Sequence, residues 1–312
     1  MNAINIDAGT RERYEREGYV AFPQLLAPRE VEPLRDALRD VMARLLADAR
    51  DGKANYRPPK PGGTGNYDGA LVTRDNSRVE LLTEPGYDPL ANGGDADAAL
   101  DHIRKIAWYE NEHPLFAELL DSPRVRGIAS QLIGEDSIMF QTMALVKPPL
   151  IGSEKPWHQD NAYFKYAPLE SICGFWLALD DASKENGCMH VLPGWHSRGG
   201  FRHVHTNDCQ ILPERVRREE AVAVELPAGG AMFFSGMLPH QTPPNRSPYR
   251  RRALQFHYRG VSTRVVDQEE YDRLFAEPDG TPASCYAARA EAARAGAGAA
   301  GAAASTQRAG AG

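Results

Sequence analysis

The sequence predicts a mainly β domain, either a sandwich or a barrel, with flanking helices. Helical spacing of apolar residues is confined to the first 134 residues, and at least six short β-type runs bounded by Gly, Pro or Asn follow. The chain has 312 residues, of which 42% are hydrophobic and 25% are charged, a composition typical of a globular protein. We therefore expect a single domain over residues 1–286, followed by a tail.

Residues 10–50 are predicted to form a helix, a short strand and a second helix. The first helix is polar and runs through Arg16, an extended run covers 18–22, and Pro28 opens the second helix. Apolar residues recur there at spacings of three and four, which indicates one buried face: Val31, Leu34, Leu38, Val41 and Leu45.

Residues 51–101 are rich in Gly, Pro, Asp and Asn, and little periodicity remains in them. A long irregular insert of this kind is usually a functional lid or a disordered segment, and both readings stay open. Over 102–136 the apolar spacing returns and predicts two short helices, between His113 and Gly134.

The β core is predicted over 137–265. Its strand-like runs are 137–147, 171–179, 189–192, 221–226, 231–235 and 253–261. Residues 287–312 are largely Ala, Gly and Arg, so we expect a flexible tail, with a frayed Ala-rich helix as the alternative.

Charge and composition exclude several classes of partner. The net charge is −6, which gives no field for nucleic acid, and no apolar run reaches the roughly 18 residues that span a bilayer. The N-terminus lacks a signal peptide, so a cytoplasmic protein is expected. The four cysteines are widely spaced, which predicts reduced, packed thiols. Nothing in the pattern indicates an oligomeric state.

The densest chemical motif is the run Trp-His-Gln-Asp at 157–160. On an extended chain His158 and Asp160 project to the same face, so both can reach one cation. They would supply two of the three ligands of the facial triad of non-haem Fe(II) oxygenases. The triplet alone is weak evidence for a metal site, since a histidine and an aspartate in an exposed turn would give the same pattern.

The triad needs a second histidine from another strand, and His240 follows a strand-like run and a tight turn. Five other histidines also follow His158, so position alone does not select His240. The next strand begins with three arginines. By alternation Arg251 shares a face with Ala253, Gln255 and His257, and this polar face suits a metal cavity. Arg251 could grip a dicarboxylate there, whereas Arg250 and Arg252 are expected at a solvated edge.

Four motifs follow one another along the chain: Trp-His-Gln-Asp at 157–160, Gly-Phe-Trp-Leu-Ala-Leu-Asp-Asp at 174–181, Glu-Asn-Gly-Cys-Met at 185–189 and Leu-Pro-Gly-Trp-His at 192–196. In this order they resemble the motifs of the phytanoyl-CoA dioxygenase family. The resemblance extends from about Tyr14 to about Arg259. It implies a double-stranded β-helix, a jelly-roll variant related to the cupins, and an enzyme that uses Fe(II), O2 and 2-oxoglutarate as cosubstrate.

The resemblance also implies residue roles. His158, Asp160 and His240 take the iron-ligand positions, and Arg251 takes that of the arginine for the distal carboxylate of 2-oxoglutarate. Thr242, Trp176 and Gln141 fall near positions that line the cosubstrate pocket. The expected reaction is hydroxylation or desaturation of a C–H bond of a small-molecule metabolite, with succinate and CO2 as coproducts. Trp195 and the 51–101 insert depart from the family pattern.

The remaining histidines are not expected to bind metal. His190 and His196 are expected to make structural hydrogen bonds, His203 and His205 to lie in a solvated basic loop, and His257 to face the cavity without binding metal.

Two alternative functions stay open. The main one is a metal-binding jelly-roll protein without oxygenase activity, such as a cupin-like isomerase or binding protein; the other is a structural protein. Arg251 discriminates, because a buried guanidinium is costly without an anion.

Overall fold

The computed structural model describes residues 2–91, 96–206 and 208–293. Its helices are α1 (Ala8–Glu17), α2 (Pro28–Arg50), α3 (Ala96–Leu100), α4 (Pro114–Leu120), α5 (Val125–Ile133) and α6 (Gln268–Leu274). Residues 285–293 are also helical and are called the C-terminal helix below. Among the described residues, no helix combines the length and the apolar character needed to cross a membrane.

The described residues contain seventeen strands, numbered in the order of the chain. They are β1 (Tyr19–Phe22), β2 (Asn55–Arg57), β3 (Leu71–Thr73), β4 (Glu80–Thr83), β5 (Ile103–Ala107), β6 (Ser137–Lys147), β7 (Lys155–His158), β8 (Tyr166–Ala167), β9 (Ile172–Ala178), β10 (Met189–Val191), β11 (His203–His205), β12 (Cys209–Ile211), β13 (Val222–Val224), β14 (Ala231–Ser235), β15 (His240–Thr242), β16 (Arg251–Gly260) and β17 (Arg264–Val265). The two N-terminal helices, β1, the two helices between His113 and Gly134 and the six predicted strand-like runs are all present. Outside 51–101, the sequence analysis did not identify α6 or strands β5, β7, β8, β11, β12, β15 and β17.

The strands form two principal antiparallel sheets. The large sheet has nine strands in the order β1-β14-β9-β16-β6-β5-β4-β3-β2, and the small sheet has four in the order β13-β10-β15-β7. Apolar residues of both sheets meet in one cluster, which includes Trp176 and Phe234 from the large sheet and Met189 and Val224 from the small one. The sheets therefore pack face to face, and the predicted jelly-roll core is confirmed.

Helices cover the outer face of the large sheet. Phe175 and Leu177 of β9 join the cluster built by α2, α4 and α5, while the alternate residues Trp176 and Ala178 point to the small sheet. Because both faces of β9 are covered, all seven of its residues are buried. Gly174 lies in this strand where a Cβ would overlap the ring of Phe234, so the close approach of β14 requires glycine.

The segment 51–101 differs from the expected irregular insert. It contributes β2, β3 and β4, which extend the large sheet beyond β5. Val72 and Leu81 are fully buried, so these strands share the core of the domain. The strands have only three or four residues each, and such short runs carry too few residues to display a period.

The C-terminal part also corrects two expectations. Cys209 and Cys285 form a disulfide, so the prediction of four reduced thiols holds only for Cys173 and Cys188, which are free and buried. The pair is separated by 76 residues and is brought together by tertiary packing, to which sequence spacing gives no guide. Within the predicted tail, residues 287–293 belong to the C-terminal helix, and 294–312 lie outside the described residues.

A candidate metal centre between the two sheets

The small sheet brings the two candidate histidine ligands together. His158 ends β7 and pairs directly with His240 at the start of β15, and their ring centroids are 4.2 Å apart. Asp160 follows at the start of a short 3-10 turn. Gln159 between them is extended, so the two side chains project to one side as alternation predicts.

One ligand atom from each of His158, Asp160 and His240 lies within 4.8 Å of the others, and all three residues are buried. The Asp160 Oδ1 atom is 3.3 Å from His158 Nε2, and Oδ2 is 3.7 Å from His240 Nε2. Two imidazoles and one carboxylate are the donor set of a non-haem Fe(II) facial triad.

Both histidines are oriented by the backbone. His158 Nδ1 lies 2.8 Å from the carbonyl oxygen of Pro156, and His240 Nδ1 lies 2.9 Å from that of Leu238. When each Nδ1–H donates to its carbonyl, the Nε2 lone pairs face the cluster, as metal-binding histidines require.

The charge states also suit a cation. Burial would raise the pKa of Asp160, but the nearby His240, His257 and His158 outweigh it and hold that pKa well below its usual value. Burial, together with the neighbouring His158, lowers the pKa of His240 to about 3. The site thus offers an ionised carboxylate and a neutral imidazole, the forms that bind metal.

The large sheet supports this cluster from the opposite side. His257 Nε2 lies 2.7 Å from Asp160 Oδ2, and Gln255 Nε2 lies 3.3 Å from the same oxygen. Both residues come from β16, on the face predicted by alternation. His257 therefore contacts the cluster without belonging to the three-residue group.

Gln159 and His203 fix the turn, and their roles were not identified from the sequence. The Gln159 side chain donates to the carbonyls of Gly199 and Met237 and accepts from the N–H of Phe201. His203 Nε2 accepts the Gln159 N–H at 3.2 Å. The prediction of a solvated His203 is wrong, since the folded β11 buries it, whereas His205 is exposed.

Arg251 is the most unusual charged residue near the cluster. It is fully buried, its Nη1 donates to the carbonyl of Leu145, and its Nε and Nη2 have no partner among the described residues. Burial lowers its pKa to about 10, so it remains a cation at neutral pH. Trp176 packs beside it, with the Arg251 Cζ 5.5 Å from the ring centroid.

The other candidate cosubstrate contacts show the same lack of partners. Thr242 and Gln141 line the cavity that contains the cluster and Arg251. Thr242 Oγ1, Gln141 Oε1 and the buried Trp176 Nε1 have no hydrogen-bond partner in the described chain. A cavity wall with a buried cation and free hydroxyl and amide groups fits a polar anion.

Arg250 and Arg252, the arginines on either side of Arg251, both pair with a carboxylate. Arg252 makes a bidentate ion pair with Asp180, at 2.8 Å for both oxygens. The prediction of a solvated edge is therefore wrong for Arg252, because the turn after β9 brings Asp180 against it. Arg250 lies against Asp101 and does not line the cavity.

The family model for phytanoyl-CoA dioxygenase (PhyH) matches residues 14–253. A zebrafish protein named phytanoyl-CoA dioxygenase domain-containing protein 1 is 27% identical over 83% of this chain and 92% of its own. The solved structure of EvdO2 from Micromonospora carbonacea var. aurantiaca, complexed with 2-oxoglutarate, is 25% identical, with a TM-score of 0.58 over 86% of this chain and 96% of its own. SnoK, a carbocyclase from nogalamycin biosynthesis, shares the fold at 20% identity and a TM-score of 0.57, over 84% and 87% of the two chains.

A jelly-roll that encloses two histidines and one carboxylate beside an anion-binding wall defines the class of non-haem iron oxygenases that use 2-oxoglutarate. The family match spans most of the chain and includes all three residues of the cluster. The chain belongs to the phytanoyl-CoA dioxygenase family.

Proposed function

We propose that this protein is an Fe(II)- and 2-oxoglutarate-dependent dioxygenase that hydroxylates or desaturates a C–H bond of a small-molecule metabolite, releasing succinate and CO2. One observation carries the proposal: the buried cluster of His158, Asp160 and His240 shares a cavity of about 630 Å³ with Arg251, whose Nε and Nη2 have no partner among the described residues. A cavity of this size accommodates a small molecule together with the cosubstrate.

Each residue has a distinct role in this proposal. His158, Asp160 and His240 would hold the iron, which with 2-oxoglutarate and O2 supplies the oxidant for the C–H bond. Arg251 would bind the distal carboxylate of 2-oxoglutarate through two N–H groups, with Thr242 donating a hydroxyl beside it. Trp176 and Gln141 would complete the pocket, and the buried surroundings would exclude water.

The alternative reading, a jelly-roll that binds metal without oxygenase activity, gives no reason for the state of Arg251. A buried guanidinium without an anion is unfavourable, and the cost is offset when a dicarboxylate fills the pocket. The presence of Asp160 further favours hydroxylation or desaturation over halogenation, since related halogenases replace this carboxylate with a small residue.

Anaerobic titration with Fe(II) and then 2-oxoglutarate tests the proposal. We expect a weak visible charge-transfer band in the wild type, its loss in His158→Ala and Asp160→Ala, and its retention in His205→Ala, which alters an exposed histidine outside the cluster. Iron binding without a band on adding 2-oxoglutarate would favour the non-oxygenase reading. Mass analysis of products from a substrate screen then separates hydroxylation, a gain of oxygen, from desaturation, a loss of hydrogen.

Arg251→Met tests the cosubstrate role separately. We expect unchanged Fe(II) affinity and roughly ten- to hundredfold weaker 2-oxoglutarate binding, read from the midpoint of the band, because one charge-assisted bidentate contact is removed. Arg251→Lys should recover little of the loss, since an ammonium cannot reproduce the planar fork. Wild-type 2-oxoglutarate affinity in Arg251→Met would contradict the assignment.

A further inference from the structure

The cavity is strongly cationic although the whole chain is acidic. Seven lysine and arginine side chains and two carboxylates line it, in a protein whose net charge is −6. The basic residues are Arg78, Arg104, Lys105, Lys147, Lys155, Lys165 and Arg251, and the carboxylates are Asp160 and Asp208. Burial lowers the pKa of Lys147 well below its usual value, so Lys147 adds least to the positive charge. Such a concentration of one sign inside a cleft selects ligands of the opposite sign.

Four of these cations already have partners or a proposed ligand. Lys155 makes a 2.8 Å ion pair with Asp208. Arg104 donates to the carbonyls of Asn66 and Glu154, and Lys147 to those of Ser153 and Thr242. Arg251 is assigned to 2-oxoglutarate. Three cations therefore remain for another ligand: Arg78, Lys105 and Lys165.

Each of the three lies over an aromatic ring that also lines the cavity. The Arg78 Cζ is 3.7 Å from the ring centroid of Trp108, the Lys105 Nζ is 5.4 Å from that of Tyr67, and the Lys165 Nζ is 4.4 Å from that of Tyr286. None of the three makes an ion pair within the described chain. A cation on an aromatic face keeps its N–H groups available, so each remains able to bind an anion.

Other cations of the protein show that this arrangement is selective. Arg74 pairs with both Asp48 and Glu112, Arg124 pairs with Glu30, and Arg264 pairs with Glu270. Carboxylates thus pair with many arginines elsewhere in the described chain. At Arg78, Lys105 and Lys165 an aromatic ring lies against the cation instead, which holds the side chain in place without neutralising it.

The backbone supports a ligand-binding role for this wall. Trp108 follows β5 with a φ of 57°, a left-handed conformation that non-glycine residues rarely adopt and that is concentrated at functional sites. Lys105 pairs with Leu145 on β6, and Leu145 pairs with Ala253 on β16. Lys105 is thus two strands, roughly 10 Å, from the strand that supports Asp160.

We propose that the substrate of this site is an organic anion whose carboxylate or phosphate group is bound by Lys105 and Arg78, with Lys165 as a third cation of the same cavity. The body of the molecule packs on Trp108 and Phe140 and presents its C–H bond toward Asp160. This inference rests on the proposed function only in taking the cavity as the substrate site. Specificity for charge then comes from residues outside the metal cluster.

Matched pairs of probes test the proposal without knowledge of the substrate. Naphthalene-1-acetate is compared with its primary amide, cyclohexaneacetate with its amide, and 1-naphthyl phosphate with 1-naphthol. Each is titrated calorimetrically into protein saturated with Ni(II) and 2-oxoglutarate, which occupies Arg251. We expect at least one anion to bind about tenfold or more tightly than its neutral partner at low salt, and this preference to shrink as salt rises.

Substitutions show which residues cause the preference for the anionic probe. Lys105→Gln and Arg78→Gln should each reduce it several-fold, and the double variant should abolish it, whereas Lys105→Arg should retain most of it. Lys184→Gln and Arg29→Gln remove the same charges from exposed positions outside the cavity and should leave it unchanged. Thermal melts of each variant exclude loss of the fold.

The outcomes are distinct from those of the iron experiment. The inference is overturned if no anion binds more tightly than its neutral partner, or if the preference survives in the double variant. If the charge-transfer band forms and the preference is absent, the oxygenase proposal stands and this one fails. If the band is absent, the titration is carried out on Arg251→Met without 2-oxoglutarate, so that the preference still reports on Lys105 and Arg78 alone. A preference limited to the phosphate pair or to the carboxylate pairs identifies the anionic group.

Discussion

At the scale of single residues, Asp160 uses its two carboxylate oxygens differently. The Oδ1 atom lies near His158, whereas Oδ2 is held by His257 and Gln255 from the opposite sheet. Residues from both sheets therefore determine the position of this carboxylate. Such orientation by neighbouring groups raises the affinity of a metal site and limits the geometry it accepts.

His203 illustrates how burial controls protonation near the cluster. Its Nε2 accepts the N–H of Gln159, and its Nδ1 lies 2.7 Å from the carbonyl of Phe201, so the ring is neutral. Burial, reinforced by the neighbouring His158, lowers the pKa of His203 to about 3, whereas an unfolded histidine titrates near 6.5. At intermediate pH the unfolded chain binds more protons than the folded one.

This difference predicts that stability falls as the pH drops. The contribution of His203 is fully present above pH 6.5 and is lost as the pH falls toward about 3. In urea unfolding of the metal-free protein, His203→Gln should reduce the slope of the unfolding free energy against pH by about 1.4 kcal/mol per unit within this window. His205→Gln, on the exposed neighbour, should leave the slope at its wild-type value; an unaltered slope in His203→Gln would contradict the prediction.

At the scale of secondary-structure elements, β2, β3 and β4 convert an apparent insert into part of the large sheet. Leu81 of β4 pairs with Ile106 of β5, and both side chains are fully buried. The segment also supplies Tyr67 and Arg78 to the cavity wall. Residues 55–83 thus contribute to the core and to the site together.

Leu81→Ala tests whether β2, β3 and β4 unfold together with the rest of the domain. The substitution should lower the free energy of unfolding by about 2–5 kcal/mol, because a fully buried leucine leaves a cavity in packed surroundings. Glu80→Ala, on the exposed adjacent position, should change it by less than about 0.5 kcal/mol. A similarly small effect for Leu81→Ala in chemical denaturation would mean that the segment unfolds independently of the rest.

At the scale of the whole molecule, the disulfide connects the C-terminal helix to the wall of the cavity. Cys285 begins that helix and Cys209 begins β12, beside the cavity residue Asp208. Tyr286 lines the cavity and donates its hydroxyl to the carbonyl of Tyr163 at 3.0 Å. The end of the described chain therefore forms part of the site.

Reduction of this disulfide should destabilise the protein substantially. The crosslink spans 76 residues, and closing a loop of that size stabilises the folded state by roughly 4–5 kcal/mol in the chain-entropy account. Reductant should lower the melting temperature of the wild type and have no further effect on the Cys209→Ser/Cys285→Ser variant. Thiol titration of the denatured protein should find two free thiols before reduction and four after it; four beforehand would exclude the bond.

The success of sequence reasoning depended on how local each signal was. Alternation along β16 correctly placed Arg251, Gln255 and His257 on one face, because the ten-residue pairing of β16 with β6 leaves the pleat regular over most of its length. The burial of His203 and the bond between Cys209 and Cys285 depend on which distant segments meet. Neither has a periodic signal, so the sequence alone favoured exposed histidine and free thiols.

The metal cluster and the cations proposed to bind the substrate lie on different sheets, so the two can be engineered separately. His158 and His240 lie on the small sheet, whereas Lys105 lies on β5 of the large sheet and Trp108 directly follows that strand. Replacements at β5 would therefore change which molecules bind without altering the residues of the metal cluster. Libraries that vary β5 and the turn before β4 are therefore the natural starting point for evolving new selectivity on this scaffold.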